Sequence, residues 1–104
     1  MANIYKNSKL DLTTTDNTIL YTVPSNSRSI LKSILVSEDA GSGTTINLTL
    51  SDALGAVFSI YKLKAVGANA TEQLLTEPLV MMENEVLKVQ AADANELHVI
   101  ATIL

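Results

Sequence analysis

The sequence predicts an all-β protein, and a small set of observations supports this prediction. Residues 44–52 (TTINLTLSD) alternate strictly, with Ile46, Leu48 and Leu50 on one strand face and polar residues on the other. Similar short segments recur roughly every ten residues, and the segments between them are rich in Gly, Asn, Asp and Pro, which favour turns. We therefore expect one domain, residues 1–104, that forms an antiparallel β-sandwich of about eight strands, either jelly-roll-like or immunoglobulin-like.

The predicted strands differ in how many apolar faces they have. Residues 27–37 (SRSILKSILVS) are apolar on both faces in their middle and rich in β-branched residues, which indicates a central strand. Residues 97–104 (LHVIATIL) are also apolar on both faces, so they should lie centrally in a sheet or be covered by another surface. The other predicted strands are 8–13, 17–23, 44–52, 56–64, 71–75 and 85–91.

One stretch, residues 68–88 (ANATEQLLTEPLVMMENEVLK), contains many helix formers. Pro78 interrupts it, because proline removes a backbone donor and clashes with the preceding helical turn. We expect at most one turn of helix near residues 71–76, and a strand or loop at LVMM (79–82).

The core has to be built from aliphatic side chains. Apolar residues make up 47% of the chain and aromatic residues only 4%, so Ile, Leu, Val and Ala must fill it. Such side chains suit the thin space between two stacked sheets. The sequence has no cysteine, which excludes disulfides and thiolate metal sites.

Charge and hydropathy argue against several kinds of partner. The net charge is −4 and the seven basic residues are scattered, whereas nucleic-acid binding needs a clustered positive surface. The apolar runs are far too short for a membrane span. The first residues (MANIYKNSKLDL) lack the apolar core of a secretion signal. We therefore expect neither nucleic acid nor a membrane as partner, and no secretion.

The sequence offers little reactive chemistry. His98 is the only histidine, so a histidine metal cluster cannot form and a nucleophilic triad has one possible base. The carboxylates cluster in turns, which we interpret as solvated: Glu38 with Asp39, Glu83 with Glu85, and Asp93 with Glu96. We expect no enzymatic activity, no catalytic residue, and no metal or other cofactor.

A carbohydrate site is an alternative. The outward row of residues 44–52 is polar but uncharged, and it could bind sugar if Tyr21 or Tyr61 supplied the stacking aromatic ring. An ordinary solvent-facing strand or a subunit contact is the simpler interpretation. The row consists of Thr45, Asn47, Thr49 and Ser51.

Several segments carry a resemblance to a known family. They are LYTVPSNSRSILKSILVSE (20–38), TTINLTLSD (44–52) and EPLVMMENEVLKVQAADANELHVIATIL (77–104). Together they resemble small β-sandwich virion proteins of tailed bacteriophages, in which a strand ends in a T-V-P turn and a closing hairpin ends the domain. The resemblance covers most of residues 18–104, and the same pattern occurs in capsid decoration (cement) proteins and in neck and tail components. No catalytic residue comes with it.

The resemblance implies a structural protein of the virion, made in the bacterial cytoplasm and bound to the outer capsid surface. Its partners would be the major capsid protein and further copies of itself, with a trimer favoured. A neck or tail adaptor, or a carbohydrate-binding β-sandwich module, is the alternative. The candidate partner-contact residues are Ile4, Tyr5, Tyr61, Leu63, Met81 and Met82, although either methionine could instead fill the core.

Overall fold

The computed structural model describes residues 5–104, and within this range the chain consists of strands and connecting turns. Each of the eight predicted segments contains a strand, and one further strand is present. No helix long and apolar enough to cross a membrane occurs in the described range. The strands are β1 (Lys6–Leu12), β2 (Thr18–Thr22), β3 (Ser29–Glu38), β4 (Thr44–Ser51), β5 (Val57–Val66), β6 (Thr71–Gln73), β7 (Leu79–Met81), β8 (Val86–Ala91) and β9 (Leu97–Ile103).

Two antiparallel sheets form a sandwich, which confirms the predicted fold class. The five-stranded sheet has the order β1-β9-β3-β6, with β7 also paired to β3, and the four-stranded sheet has the order β2-β8-β4-β5. The strand pairs are nested along the chain: β1 pairs with β9, β2 with β8, β3 with β7 and β4 with β5. The chain therefore resembles one long hairpin that is folded over the core. This nesting is the jelly-roll topology, whereas an immunoglobulin-like domain pairs its strands in a different order.

The additional strand explains the ambiguous segment around Pro78. β6 pairs with Leu35–Ser37 of β3, and β7 pairs with Ser29–Leu31 of the same strand, so both short strands share one edge. Between them, the Gln73 side-chain oxygen accepts hydrogen bonds from the backbone N–H of Ile34 (2.8 Å) and Leu75 (3.2 Å). No helical turn forms at residues 71–76. Pro78 has no backbone N–H to donate to a β-ladder, so the segment that pairs with this edge of β3 is divided into β6 and β7.

The core lies between the two sheets and is almost wholly aliphatic. β9 lies centrally, between β1 and β3, as its apolar composition predicted. Its inward side chains are buried, while Ile100 on the other face remains exposed. The buried set contains Met81 and no aromatic residue among those described: Leu12, Leu20, Val23, Leu31, Ile34, Val36, Ile46, Leu48, Val66, Leu74, Met81, Leu87, Val89, Ala91, Leu97, Val99, Ala101 and Ile103.

Candidate functional site: the β4–β5 hairpin and the cleft beside it

Four of the ten large apolar side chains that are exposed in the described range lie on the β4–β5 hairpin. Leu54 is 96% exposed, and Val57, Phe58 and Leu63 are all more than half exposed. β5 is also an edge strand, with a partner on only one side among the described residues. Single exposed apolar residues are ordinary, but several on one element indicate an interaction surface.

The hairpin tip, residues 52–56, is held rigidly by Asp52. The Asp52 carboxylate accepts hydrogen bonds from the backbone N–H of Leu54 and Ala56, both at 2.9 Å. The backbone N–H of Asp52 donates to the Ala56 carbonyl (2.9 Å), and that of Gly55 donates to the Asp52 carbonyl (3.0 Å). Gly55 has φ +90°, a conformation that glycine adopts without steric cost. The tip therefore presents Leu54 to solvent in a fixed geometry.

Leu63 adopts an unusual backbone conformation. Ile46 pairs with Lys64 and Leu48 with Tyr61, so Lys62 and Leu63 both lie opposite Asn47 in a β-bulge. There Leu63 has φ +54°, and its N–H donates to the Asn47 side-chain oxygen at 2.7 Å. The other described non-glycine residues with positive φ are all asparagines: Asn26, Asn69, Asn84 and Asn95.

This conformation has a consequence for function. A residue with a Cβ pays about 1–2 kcal/mol in the left-handed region, and asparagine tolerates it better than leucine. Leu63 is 63% exposed, so packing within the chain offsets little of that cost. Strain of this kind is a reason to look for a functional role. We interpret Leu63 as an apolar contact residue.

A cleft of mixed polar and apolar lining lies beside β5, between this strand and the segment that joins β6 to β7. We call it the edge cleft, and its volume is about 320 Å³. It exists because β6 and β7 are only three residues long, so the five-stranded sheet leaves the side of β5 partly uncovered. An ion pair between Lys64 and Glu72 (3.7 Å) joins β5 to β6 farther from the tip. The cleft is lined by Ile60, Tyr61, Leu74, Leu75, Thr76, Glu77, Pro78 and Leu79.

The predicted contact residues fall into different environments. Leu63, Tyr5 and Met82 are exposed, and Tyr61 is half-buried in the edge cleft. Met81 is completely buried, so it fills the core, as the alternative interpretation of the two methionines predicts. Ile4 lies outside the described residues.

Leu54, Val57 and Phe58 are not among the contact residues predicted from the sequence. The sequence predicts a turn between the strands 44–52 and 56–64, and only a strand over residues 56–64. A leucine inside a turn sequence was the available signal, because turns normally carry polar residues and glycine.

His98 lies on the outer face of the five-stranded sheet, between two carboxylates. Its Nε2 is 3.3 Å from Asp11 Oδ1, and its Nδ1 is 3.4 Å from Asp39 Oδ2. Ser37 is its neighbour across the β3–β9 pair. Both ring nitrogens face carboxylates, so neither is directed at the serine as a general base would be. The arrangement is an exposed cluster of polar side-chain contacts, which contributes little to stability.

Glu38 is buried, so its interpretation as a solvated turn carboxylate is wrong. It accepts backbone hydrogen bonds from Asn69 (3.0 Å), Gly41 (2.9 Å) and Ser42 (3.4 Å), which ties the β3–β4 loop to the β5–β6 loop. The Asn69 bond above all, helped by the bonds from Gly41 and Ser42 and opposed by burial, lowers the pKa of Glu38 to about 2. This carboxylate is a structural anchor.

Glu96 connects a third loop to the same cluster. It accepts a hydrogen bond from the Ser42 hydroxyl, which favours the charged form. The hydrogen bond with Glu38, burial and the nearby charge of Asp93 act in the opposite direction and raise the pKa of Glu96. The two glutamates therefore differ in their tendency to hold a proton.

The polar face of β4 lacks the stacking ring that a sugar site needs. A shallow groove of about 260 Å³ is lined by Thr15, Thr45, Asn47, Leu63, Gln90, Ala91 and Ala92, with no aromatic residue. Tyr61 pairs with the buried Leu48 and so lies on the opposite face of the sheet, and the Tyr21 hydroxyl hydrogen-bonds Ser29 at 2.7 Å. The condition for a sugar site on this row, that Tyr21 or Tyr61 stacks over it, is therefore not met.

Comparison of the sequence with protein-family models finds no match, and comparison with curated proteins finds no significantly similar sequence.

Proposed function

We propose that this chain is a structural protein of a bacteriophage virion, a decoration protein that binds the major capsid protein on the outer shell as a homo-oligomer and stabilises the shell. The observation that carries a docking role is the apolar surface of the β4–β5 hairpin, with Leu63 held exposed in a strained conformation. The choice of the capsid as partner is supported by the resemblance of residues 20–38, 44–52 and 77–104 to small virion proteins.

The fold is compatible with this role. Jelly rolls occur in capsid and lectin domains, although a fold alone does not specify a function. The tip and β5 offer exposed apolar side chains, and the bulge at Lys62 and Leu63 interrupts the regular ladder along this edge strand. A partner would therefore recognise this strand through apolar contacts.

Decoration would stabilise a shell through many small contacts. Each copy can contribute only a modest apolar surface, and several copies held by one symmetric lattice bind with a combined avidity. An oligomer that spans neighbouring capsid subunits would resist their separation.

Cryo-electron microscopy of virions assembled with this chain tests the proposal. We expect density for the sandwich on the outer shell, with the β4–β5 hairpin at a contact. Density confined to the neck or tail would replace decoration by the adaptor alternative, and absence from the particle would refute both.

A variant pair makes the test specific to β5. Leu63→Asn keeps a residue that tolerates positive φ but removes the apolar side chain, so it should fold normally and lose shell occupancy. Ile19→Ser, at an exposed apolar position on β2, is the matched control and should bind like the unmodified chain. If Leu63→Asn and the unmodified chain occupy the shell equally, β5 is not the strand that contacts the capsid.

A further inference from the structure

We infer that Glu38 and Glu96 form a proton-dependent link between two loops, which we call the carboxyl clasp. It holds the β8–β9 loop (residues 92–96) against the β3–β4 loop (residues 39–43) while the two side chains share a proton. When that proton is lost, the β8–β9 loop is released. The clasp lies at the end of the sandwich opposite the hairpin tip, because β4 runs from the β3–β4 loop to the tip. It does not depend on the proposed capsid attachment.

The side chains of both glutamates converge on Ser42. Glu38, the last residue of β3, accepts hydrogen bonds from the backbone N–H of Gly41 (2.9 Å) and Ser42 (3.4 Å) in the β3–β4 loop. It also accepts one from the backbone N–H of Asn69 (3.0 Å) in the β5–β6 loop. Glu96 accepts a hydrogen bond from the Ser42 hydroxyl, and the two carboxyl groups hydrogen-bond each other. Three loops are therefore joined through one pair of carboxyl groups.

The bond between the two glutamates requires a proton. An ionised carboxylate only accepts hydrogen bonds, so two carboxyl groups can bond each other only when one of them is protonated. Two ionised carboxylates in contact repel each other. The link is therefore present when the pair carries one proton and absent when it carries none.

The proton of the clasp resides on Glu96. The hydrogen bond from the Asn69 N–H, above all, lowers the pKa of Glu38 to about 2, so Glu38 stays ionised. The Ser42 hydroxyl favours the charged form of Glu96. The hydrogen bond with Glu38, burial and the charge of Asp93 outweigh it and raise the pKa of Glu96. Ionisation of Glu96 is therefore the step that opens the clasp.

The other charged groups around the clasp supply no counter-charge. In the described part of the chain, no lysine or arginine forms an ion pair with either glutamate. The β5–β6 loop, residues 67–70 (GANA), has no titratable side chain. In the β3–β4 loop, the Asp39 carboxylate faces His98. On the β8–β9 loop, Asp93 accepts a hydrogen bond from the Thr44 hydroxyl (2.7 Å) and adds a further negative charge.

The opening of the clasp is a local change. The Asp39 N–H donates to the Glu96 carbonyl (3.1 Å), and the Asn95 N–H donates to the Leu12 carbonyl (2.9 Å). These backbone bonds keep the β8–β9 loop attached to the sandwich, so ionisation of Glu96 makes the loop open more often without unfolding the domain. The Asp39 amide reports this opening, because its hydrogen-bond acceptor belongs to Glu96 itself.

Hydrogen exchange measured by NMR between pH 4 and pH 7 tests the clasp. After correction for intrinsic exchange, the protection of the Asp39 amide should fall as the pH rises through the pKa of Glu96. The expected fall is the ratio of the acid dissociation constant of an ordinary glutamate to that of Glu96, which a carboxyl-carbon titration of the same sample measures. Protection that does not change over this interval would overturn the inference.

Two glutamine variants make the test specific to Glu96. Glu96→Gln places a permanent amide donor beside Glu38, so the protection of its Asp39 amide should not depend on pH. Glu83→Gln is the matched control, because Glu83 is also a loop glutamate that accepts a backbone hydrogen bond, from Asn26 at 2.7 Å. It should show the same fall as the unmodified chain. A fall that persists in Glu96→Gln would overturn the inference.

Two further variants test the neighbours of the clasp. Ser42→Ala removes the bond that favours the charged form of Glu96, so the midpoint of the fall should move to higher pH. His98→Gln removes the histidine beside Asp39, and the fall should remain. A midpoint that stays in place or moves to lower pH in Ser42→Ala would overturn the inference. Loss of the fall in His98→Gln would assign the pH dependence to the histidine and overturn it as well.

Discussion

Because Leu63 has a positive φ, we expect glycine at this position to give a more stable protein than alanine, the reverse of the usual order in a strand. At an ordinary strand position, glycine is less stable than alanine by roughly 0.5–1 kcal/mol, because it loses more backbone entropy on folding. At φ +54° the Cβ of alanine costs about 1–2 kcal/mol, and glycine avoids that cost. The steric cost that glycine avoids is larger than the backbone entropy that it loses. Leu63→Gly should therefore be more stable than Leu63→Ala by about 0.5–1 kcal/mol.

The assay is urea unfolding followed by circular dichroism at neutral pH. Leu35 provides the matched control, since it is an exposed leucine (40%) on β3 that is not among the residues with positive φ. Leu35→Ala should be more stable than Leu35→Gly by roughly 0.5–1 kcal/mol, the reverse of the order at position 63. The same order at both positions would refute the strain argument and with it the reason for assigning Leu63 a contact role.

The same variants separate folding from binding. Leu63→Gly and Leu63→Ala both lack the apolar side chain, so both should lose shell occupancy although they differ in stability. Retained occupancy in Leu63→Gly would mean that strain at this bulge serves a purpose other than docking.

Further predictions concern the loops, the tip and the core. The pKa of Glu38 is lowered to about 2, so its charge stabilises the folded chain above pH 4.5 and this contribution disappears as the pH falls through 2. Glu38→Gln should therefore be less stable than the unmodified chain at pH 7, with the difference shrinking toward pH 2; a difference independent of pH in urea unfolding would contradict this. The pKa of Glu96 is raised, so its contribution is present below pH 4.5 and decreases as the pH rises through the folded-state pKa. As the pH rises from 4 to 7, the free energy of unfolding of Glu96→Gln should increase relative to that of the unmodified chain. A relative decrease over this interval would contradict the raised pKa of Glu96 beside Glu38. Asp52→Ala removes the hydrogen bonds that fix the tip, so cryo-electron microscopy should show lower shell occupancy with little change in thermal midpoint; unchanged occupancy would argue against the tip as a contact. Leu48→Ala, at a fully buried position, should cost about 2–5 kcal/mol in urea unfolding, and a cost under 1 kcal/mol would contradict the placement of the core.

Most of the strands could be predicted because their signal is local. The alternation of residues 44–52 follows from the pleat, in which successive side chains point to opposite faces, and it correctly places Ile46 and Leu48 in the core. Strand β7, which is not among the eight predicted strands, was harder to predict. Residues 79–81 are short and follow a proline, and only their pairing with Ser29–Leu31 makes them a strand.

The candidate site was predictable only in part. Leu63 and Tyr61 are among the contact residues predicted from the sequence, but the positive φ of Leu63 arises from a register shift against β4. Glu38 looked like a turn residue, because nothing in its neighbours along the chain reveals the backbone donor of Asn69 from a distant loop.

The sequence by itself determined that the chain alternates into sheets with an aliphatic interior, since strand period and turn composition are properties of neighbouring residues. The tertiary structure alone decided which apolar side chains stay uncovered. Leu54 is open because it lies in the turn at the end of the β4–β5 hairpin. The edge cleft is open because β6 and β7 are too short to cover the side of β5, and the length of an opposing edge depends on residues far away in the chain.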